Sequence, residues 1–403
     1  MNIKISNRAL NAPASPIRKL GVYAEEAKQR GTKVYHLNIG QPDLKIPTEI
    51  CSSLNKCSKI DYLPYEQSQG TKELLTAWQD YLKLDGINVE IENMLITSGG
   101  SEGLVMASAI VCNPEEEILA FEPFYANYLG FANLVSAKIT PIVLNENNNY
   151  HLPDEKKITS KITSKTRAIL LNNPNNPTGT VFTKNELELI LKIAKKYNLF
   201  IISDEAYSGI CFDGHKSQSI FTLATKEDKE RIIIIDSLSK KFNVCGARIG
   251  AVISTNKAVL YALNCFAQQR LSVSTLDQKI VFSALGSAKK YISEISKEYQ
   301  IRRDVFVAEL EKGLGTKIHY PEGAFYTMLK LPVKDADQFA KWLLTDFSVG
   351  GETVMVAPGS GFYATPGRGK DEIRVAFVLN KEDLKKAVKI LIKGIEEYSK
   401  RNI

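Results

Sequence analysis

Two adjacent lysines, Lys240 and Lys241, follow Ser237-Leu238-Ser239 at the end of the apolar run Ile232–Asp236. A lysine amine becomes a working base when burial or neighbouring cations lower its pKa. Either lysine has that claim on position alone. Asp204 closes a second apolar run, Phe200–Ser203, and opens the segment Asp204-Glu205-Ala206-Tyr207. A carboxylate buried at such a point needs a partner, and a cationic ring nitrogen would be one. Asn172-Asn173-Pro174-Asn175-Asn176-Pro177-Thr178-Gly179 follows a third run and offers amides within turn chemistry. Ser98-Gly99-Gly100-Ser101 precedes a helical pattern. It is either a tight turn or a set of N–H and hydroxyl groups presented to an anion at a helix start. Glu122-Pro123-Phe124-Tyr125 adds aromatic rings.

The elements that must position these groups are short, continuous and rich in β-branched residues. Met94–Thr97, Ile118–Phe121, Ala168–Leu171, Phe200–Ser203 and Ile232–Asp236 read as strands buried on both faces, as in a parallel sheet. Lys184–Tyr197 carries Leu187, Ile190, Leu191 and Ala194 at helical spacing. Thr183 and Glu186 are placed for a capping box at its start. Strand, helix and strand in succession imply an α/β doubly wound architecture. In open parallel sheets ligands bind outside the carboxyl ends of the strands, so all five segments above should meet in one crevice. There they would supply an anion cradle, a ring, an amide, a carboxylate and an amine.

The C-terminal third has a different texture. Ile301–Leu310 and Glu382–Lys400 are amphipathic helical patterns, and Tyr326–Leu329 and Ile373–Phe377 are plausible strands of a smaller α+β unit. Ile17–Arg30 reads as a helix closed by Gly31, and it is expected to pack on that smaller unit. A chain of 403 residues exceeds one ordinary core, so two domains are expected, 47–286 and 1–46 with 287–403.

Composition excludes several classes. The net charge of +7 comes without a dense basic block or an aromatic stripe, which argues against nucleic acid and leaves a lysine-rich surface or small anionic ligands. No apolar run is long enough for a membrane span, and residues 1–20 lack the apolar core of a signal peptide, so a cytoplasmic location is expected. The six cysteines form no CxxC pair and the four histidines are scattered, so no metal site is expected and the thiols should be reduced.

Spacing also distinguishes the two lysines. Ser237-Leu238-Ser239-Lys240-Lys241-Phe242-Asn243-Val244-Cys245-Gly246-Ala247-Arg248-Ile249-Gly250 resembles the attachment-site signature of the class I and II aminotransferases, fold-type-I pyridoxal-phosphate enzymes. Asn176-Pro177-Thr178-Gly179 and Asp204-Glu205-Ala206-Tyr207 resemble further segments of that family, in the same order along nearly the whole chain. The resemblance implies a large domain with a mainly parallel, seven-stranded sheet and a smaller α+β domain. It makes Lys240, not Lys241, the lysine that holds pyridoxal 5'-phosphate in a Schiff base, and Arg248 its phosphate anchor, aided by Gly100, Ser101 and Ser237.

Asp204 would pair with the pyridine nitrogen, and Asn176 and Tyr207 would bond the phenolic oxygen. Tyr125 would stack on the ring. Many members carry tryptophan there, so Phe124 is the alternative. Asp371–Phe377 resembles the segment whose arginine, here Arg374, grips the substrate α-carboxylate through a two-pronged contact. Asn38–Asp43 resembles a loop closing over the substrate, with Gly40 allowing close backbone approach. Tyr62, in Tyr62-Leu63-Pro64, would reach the phosphate of a partner subunit, so a homodimer with active sites at its interface is expected. Arg270 lies where aspartate-specific members present an arginine across that interface, although a structural arginine is an equal reading.

The implied activity is ping-pong transamination between an amino acid, aspartate or glutamate by overall pattern, and a 2-oxo acid. A carbon–sulfur lyase or other eliminating enzyme on the same scaffold is the first alternative. A non-catalytic cofactor-binding regulator is the second.

Overall fold

The computed structural model describes residues 3–401. Its strands are β1 (Lys33–His36), β2 (Met94–Thr97), β3 (Glu117–Glu122), β4 (Lys138–Val143), β5 (Thr166–Asn172), β6 (Phe200–Asp204), β7 (Ile232–Ser237), β8 (Gly250–Ile253), β9 (Tyr326–Lys330), β10 (Glu352–Met355), β11 (Ala357–Pro358) and β12 (Glu372–Ala376). Seven of them form the expected mainly parallel sheet, in the order β2-β8-β7-β6-β5-β3-β4. β8 is antiparallel to both of its neighbours, and the remaining adjacent pairs are parallel.

Two apolar layers cover the sheet, and the strand period of two assigns residues to them. In β7, Ile232 and Ile234 join a core that includes Trp78, Leu187 and Ile190, while Ile233 and Ile235 face Leu104, Ala107 and Leu263. Lys184–Lys196 forms as expected. The Thr183 hydroxyl accepts from the Glu186 N–H while the Glu186 carboxylate receives the Thr183 N–H. Such a cap is worth about 1 kcal/mol.

A separate apolar cluster joins Leu20 and Ala24 to Phe339, Leu343, Leu384 and Leu391. It is built around β9, β11 and β12, which form a three-stranded antiparallel sheet, and around the parallel pair β1–β10. The N-terminal helix therefore packs on the C-terminal unit. It is regular only over Gly21–Gln29, because residues 16–20 form turns, and Gly31 closes it with φ +85°. The pattern at Ile301–Leu310 proves to be the C-terminal part of one long helix, Ala288–Leu314. β4 and β8 were not visible as separate runs. β4 begins with a lysine and is only partly buried, and β8 is a four-residue stretch opened by glycine.

Candidate active site

The carboxyl ends of β2, β3, β5, β6 and β7 open onto a cavity of about 520 Å³. Because β8 runs the other way, its beginning lies at that same end, where Ser237 pairs with Gly250. Arg248, two residues before Gly250, thus reaches the cavity without any strand ending there. Its backbone is left-handed, at φ +54°, a conformation costing about 1 kcal/mol for a residue with a Cβ. Glycines make the close approach possible. A Cβ on Gly99 would lie 2.5 Å from an Arg248 guanidinium nitrogen, and one on Gly250 would lie 2.7 Å from the Gly99 carbonyl carbon. Gly99 begins the helix Gly99–Val111, so Arg248, Gly100 and Ser101 stand together at a helix N-terminus, beside Ser237. A guanidinium, free N–H groups and hydroxyls at the positive end of a helix form a donor set for a phosphate.

Asp204 lies on the cavity wall and is nearly fully buried. Its carboxylate receives hydrogen bonds from the Tyr128 hydroxyl (2.6 Å) and the Ala206 N–H (3.2 Å), both neutral donors. Burial pushes its pKa up to about 6, against the lowering by those hydrogen bonds. A buried carboxylate with only neutral donors is an unbalanced group, and a ring N–H⁺ would balance it.

Asn176 is held by its neighbour. The Asn172 side-chain oxygen accepts its N–H at 2.6 Å, while the Asn172 amide donates to the Asp204 carbonyl at 3.0 Å. The Asn176 amide donates to the Tyr207 hydroxyl at 3.3 Å, so both groups meet at one point. Tyr207 also lies 3.0 Å, oxygen to oxygen, from Tyr326. Burial raises the Tyr207 pKa well above the usual phenol value. Tyr125 lines the cavity, whereas Phe124 is buried in the core behind it, so Tyr125 is the aromatic available to a ring.

The two lysines separate fully. Lys240 lines the cavity and its Nζ donates to the Gly40 carbonyl at 2.7 Å. Lys241, on the same four-residue helical turn, is 1% exposed. Its ammonium pairs with Asp236 and also donates to Tyr81 (3.0 Å) and Ser208 (2.8 Å). Those partners, chiefly the Asp236 carboxylate, hold its pKa above the usual lysine value despite burial. Gly40 serves the site in a way not anticipated. A Cβ there would fall 1.7 Å from the Tyr326 hydroxyl, so the glycine makes room for a wall residue of the protein itself.

Arg374 on β12 is 1% exposed and lies between the rings of Tyr326 (4.4 Å) and Phe362 (4.9 Å). It donates to the Asn176 oxygen at 3.1 Å and to the Asn38 carbonyl, while its buried Nε has no hydrogen-bond partner. A fixed, buried guanidinium with an unused donor suits a carboxylate guest.

Two expected residues are not in this cavity. Tyr62 is 76% exposed and forms no part of the wall in its own subunit. Arg270 is also off the wall. Its guanidinium lies 3.0 Å from the Glu102 carboxylate and donates to the Ile96 carbonyl at 2.6 Å. Within the subunit it is a structural arginine, tying the helix Gly99–Val111 to β2. Arg270→Ala should lower unfolding stability by about 2 kcal/mol, since it strands a largely buried carboxylate and a carbonyl. Its ratio of aspartate to alanine turnover should stay within about twofold of wild type. Urea titration and paired kinetics check both.

Several wall or wall-supporting residues went unread in the sequence: Tyr128, Tyr326, Asn38, Asn172, Cys245 and Arg18. Tyr128 lies three residues after Tyr125, and Asn38, Asn172 and Cys245 lie inside quoted motifs, so position relative to a motif was the available clue. Tyr326 and Arg18 had none, being brought in by tertiary packing.

A model of the family described as aminotransferase class I and II matches residues 32–391. An aspartate aminotransferase of Pyrococcus horikoshii is 31% identical over 398 residues, covering 97% of each chain. Among solved structures, an alanine aminotransferase from Pyrococcus furiosus superposes with a TM-score of 0.88 at 30% identity, over 98% of this chain and 100% of its own. An aspartate aminotransferase from Thermotoga maritima gives a TM-score of 0.88 at 26% identity, over 97% of this chain and 100% of its own.

Proposed function

The chain belongs to the class I and II aminotransferases, which move amino groups between amino acids and 2-oxo acids, and from that premise we propose that it uses pyridoxal 5'-phosphate at Lys240 and serves aspartate or glutamate, with 2-oxoglutarate as acceptor. The observation that carries the reading is the convergence of the Lys240 amine, the unbalanced Asp204 carboxylate and the Arg374 guanidinium in one cavity. Pyridoxal phosphate, when bound, supplies an aldehyde that captures amines and a protonated ring that withdraws electrons from the substrate Cα.

The residues present fit that group. Asp204 would meet the ring nitrogen and keep its proton in place. Asn176 and Tyr207 would meet the phenolic oxygen, and Tyr125 the ring face. Arg248, Gly100, Ser101 and Ser237 would hold the phosphate at the helix N-terminus. Arg374 would hold the α-carboxylate by its unused donors, fixing the direction of the Cα–H bond. Lys240 would anchor the cofactor through its amine, and that amine, when free, would be the base that takes and returns the Cα proton. The exposed Ile60, Tyr62, Leu63 and Tyr65 support a homodimer in which Tyr62 serves the partner's phosphate. The large unit is assigned to 47–286, around the seven-stranded sheet, and the rest of the chain to the smaller one, in which Leu20 and Ala24 pack with Leu384 and Leu391.

The test is a half-reaction. Each amino acid is mixed with the loaded enzyme without acceptor, and the cofactor absorbance is followed. Aspartate or glutamate should convert the absorbance stoichiometrically, and 2-oxoglutarate should restore it. Release of pyruvate and ammonia from cystathionine, with no conversion by any amino acid, would replace transamination by elimination.

A further inference from the structure

We propose that Arg18 is the residue that reads the distal carboxylate of a dicarboxylic amino acid. The inference rests on the transamination reading above and adds a subsite to the same cavity. The basic residues on the cavity wall are Arg18, Lys240, Arg248 and Arg374, and the one acidic residue there is Asp204. Three of the four cations have tasks set by their surroundings. Lys240 is at the reacting centre, Arg248 is at the helix N-terminus, and Arg374 is locked between two rings.

Arg18 is the exception. It is exposed, and among the described residues its side chain has no ion pair and no hydrogen bond. Arg270, the other candidate, does not line this cavity; it pairs with Glu102 and donates to the Ile96 carbonyl within its own subunit.

The segment carrying Arg18 is fastened to the α-carboxylate clamp. The Asn38 amide donates to the Ile17 carbonyl at 2.9 Å, and Arg374 donates to the Asn38 carbonyl. Pro16 packs on Gly361 so closely that a Cβ there would lie 2.3 Å from the proline ring. Gly361 immediately precedes Phe362, whose ring lies against Arg374. Lys19 pairs with Asp337, which also accepts from Ser360. Two arginines that line the cavity are thus linked through Asn38, one buried and one exposed with its donors free. A molecule with carboxylates at both ends complements that arrangement, and a neutral side chain leaves the outer arginine unused. Arg374 is rigid and buried, so it suits the carboxylate common to all substrates. Arg18 is solvated, so it contributes charge-assisted bonds of moderate strength that depend on salt.

The experiment compares wild type with Arg18→Ala and Arg18→Lys as loaded enzymes. It measures kcat/KM for aspartate, glutamate and alanine, and Kd for succinate, an unreactive dicarboxylate. Arg18→Ala should lower kcat/KM for the two dicarboxylic substrates about 10- to 100-fold. It should weaken succinate by a similar factor and change alanine less than about threefold. Arg18→Lys should recover part of the loss, and raised salt should narrow the gap between wild type and Arg18→Ala. Equal losses for aspartate and alanine would make Arg18 a prop for the N-terminal segment and overturn the proposal. So would an unchanged value for aspartate. Wild type that transaminates no amino acid would instead remove the reading on which the proposal stands.

Discussion

Lys240→Ala is expected to abolish amino transfer while leaving the fold intact. The side chain projects into the cavity, and its amine contacts the Gly40 carbonyl and the Cys245 sulfur, not a core. Truncation therefore removes little packing, and the midpoint of thermal unfolding should move by only a few degrees. The catalytic loss combines the covalent anchor with the base that moves the Cα proton, so turnover should fall by at least about 10⁴-fold. The neighbour supplies an internal control. Lys241→Ala would strand Asp236, which is 2% exposed and also receives the Trp78 indole N–H at 3.0 Å. Breaking a buried pair from one side costs about 3–5 kcal/mol, so this variant should lose the fold before it loses any chemistry. Thermal unfolding and single-turnover absorbance on the two variants separate the roles. A Lys240→Ala enzyme with near-normal turnover would remove this lysine from the mechanism.

Asp204→Asn should have the second largest effect, and it should act in opposite directions on activity and on the stability of the cofactor-free chain. The substitution keeps an acceptor for the Tyr128 hydroxyl but removes the charge that would keep a ring nitrogen protonated. Losing one such preorganised charge should lower kcat/KM by about 10²- to 10³-fold. In the cofactor-free chain, the Asp204 pKa lies at about 6, above the ordinary carboxylate value. A raised folded pKa means that the fold favours the protonated form. The group's contribution is fully present below the unfolded value of about 4 and is lost as pH rises through about 6. At pH 8 the wild-type chain therefore carries a penalty of roughly 2–3 kcal/mol that asparagine does not. Asp204→Asn should be the more stable protein at pH 8, with the difference gone near pH 4. Urea titrations of the cofactor-free proteins at the two pH values check this, and a variant less stable at pH 8 would contradict it.

Much of the site was legible because its residues follow strand ends, and strand ends are readable from apolar runs. Asp204, Asn176 and Lys240 each stand just after such a run, and a parallel sheet brings those points together. Arg248 could not be found in that way. It precedes a strand, and only the reversed direction of β8 puts it at the same edge, so its motif spacing had to supply it. Arg270 was left open between a substrate contact across an interface and a structural role, and its contacts within the subunit are set by β2 and the following helix, elements distant in sequence. Arg18 and Tyr326 reach the wall through docking of the N-terminal segment and β9, and such docking leaves no periodic trace in a single sequence. The long helix Ala288–Leu314 was seen only in part, since its N-terminal half mixes buried serine and tyrosine with apolar residues.

The amide of Asn176 has one consequence for what the cavity will accept. Arg374 has donors only, so the Asn176 oxygen must face it and the NH₂ group must face Tyr207. Tyr207 receives at that contact, which leaves its own proton free to point at Tyr326 or into the cavity. With that proton turned inward, an oxygen arriving between Asn176 and Tyr207 meets two donors, which favours an oxyanion; with it turned to Tyr326, one donor and the Tyr207 oxygen remain. The cavity's preference for an anionic guest thus rests on the direction of a hydrogen-bond chain, and an arginine that never touches that oxygen sets the direction of the Asn176 amide.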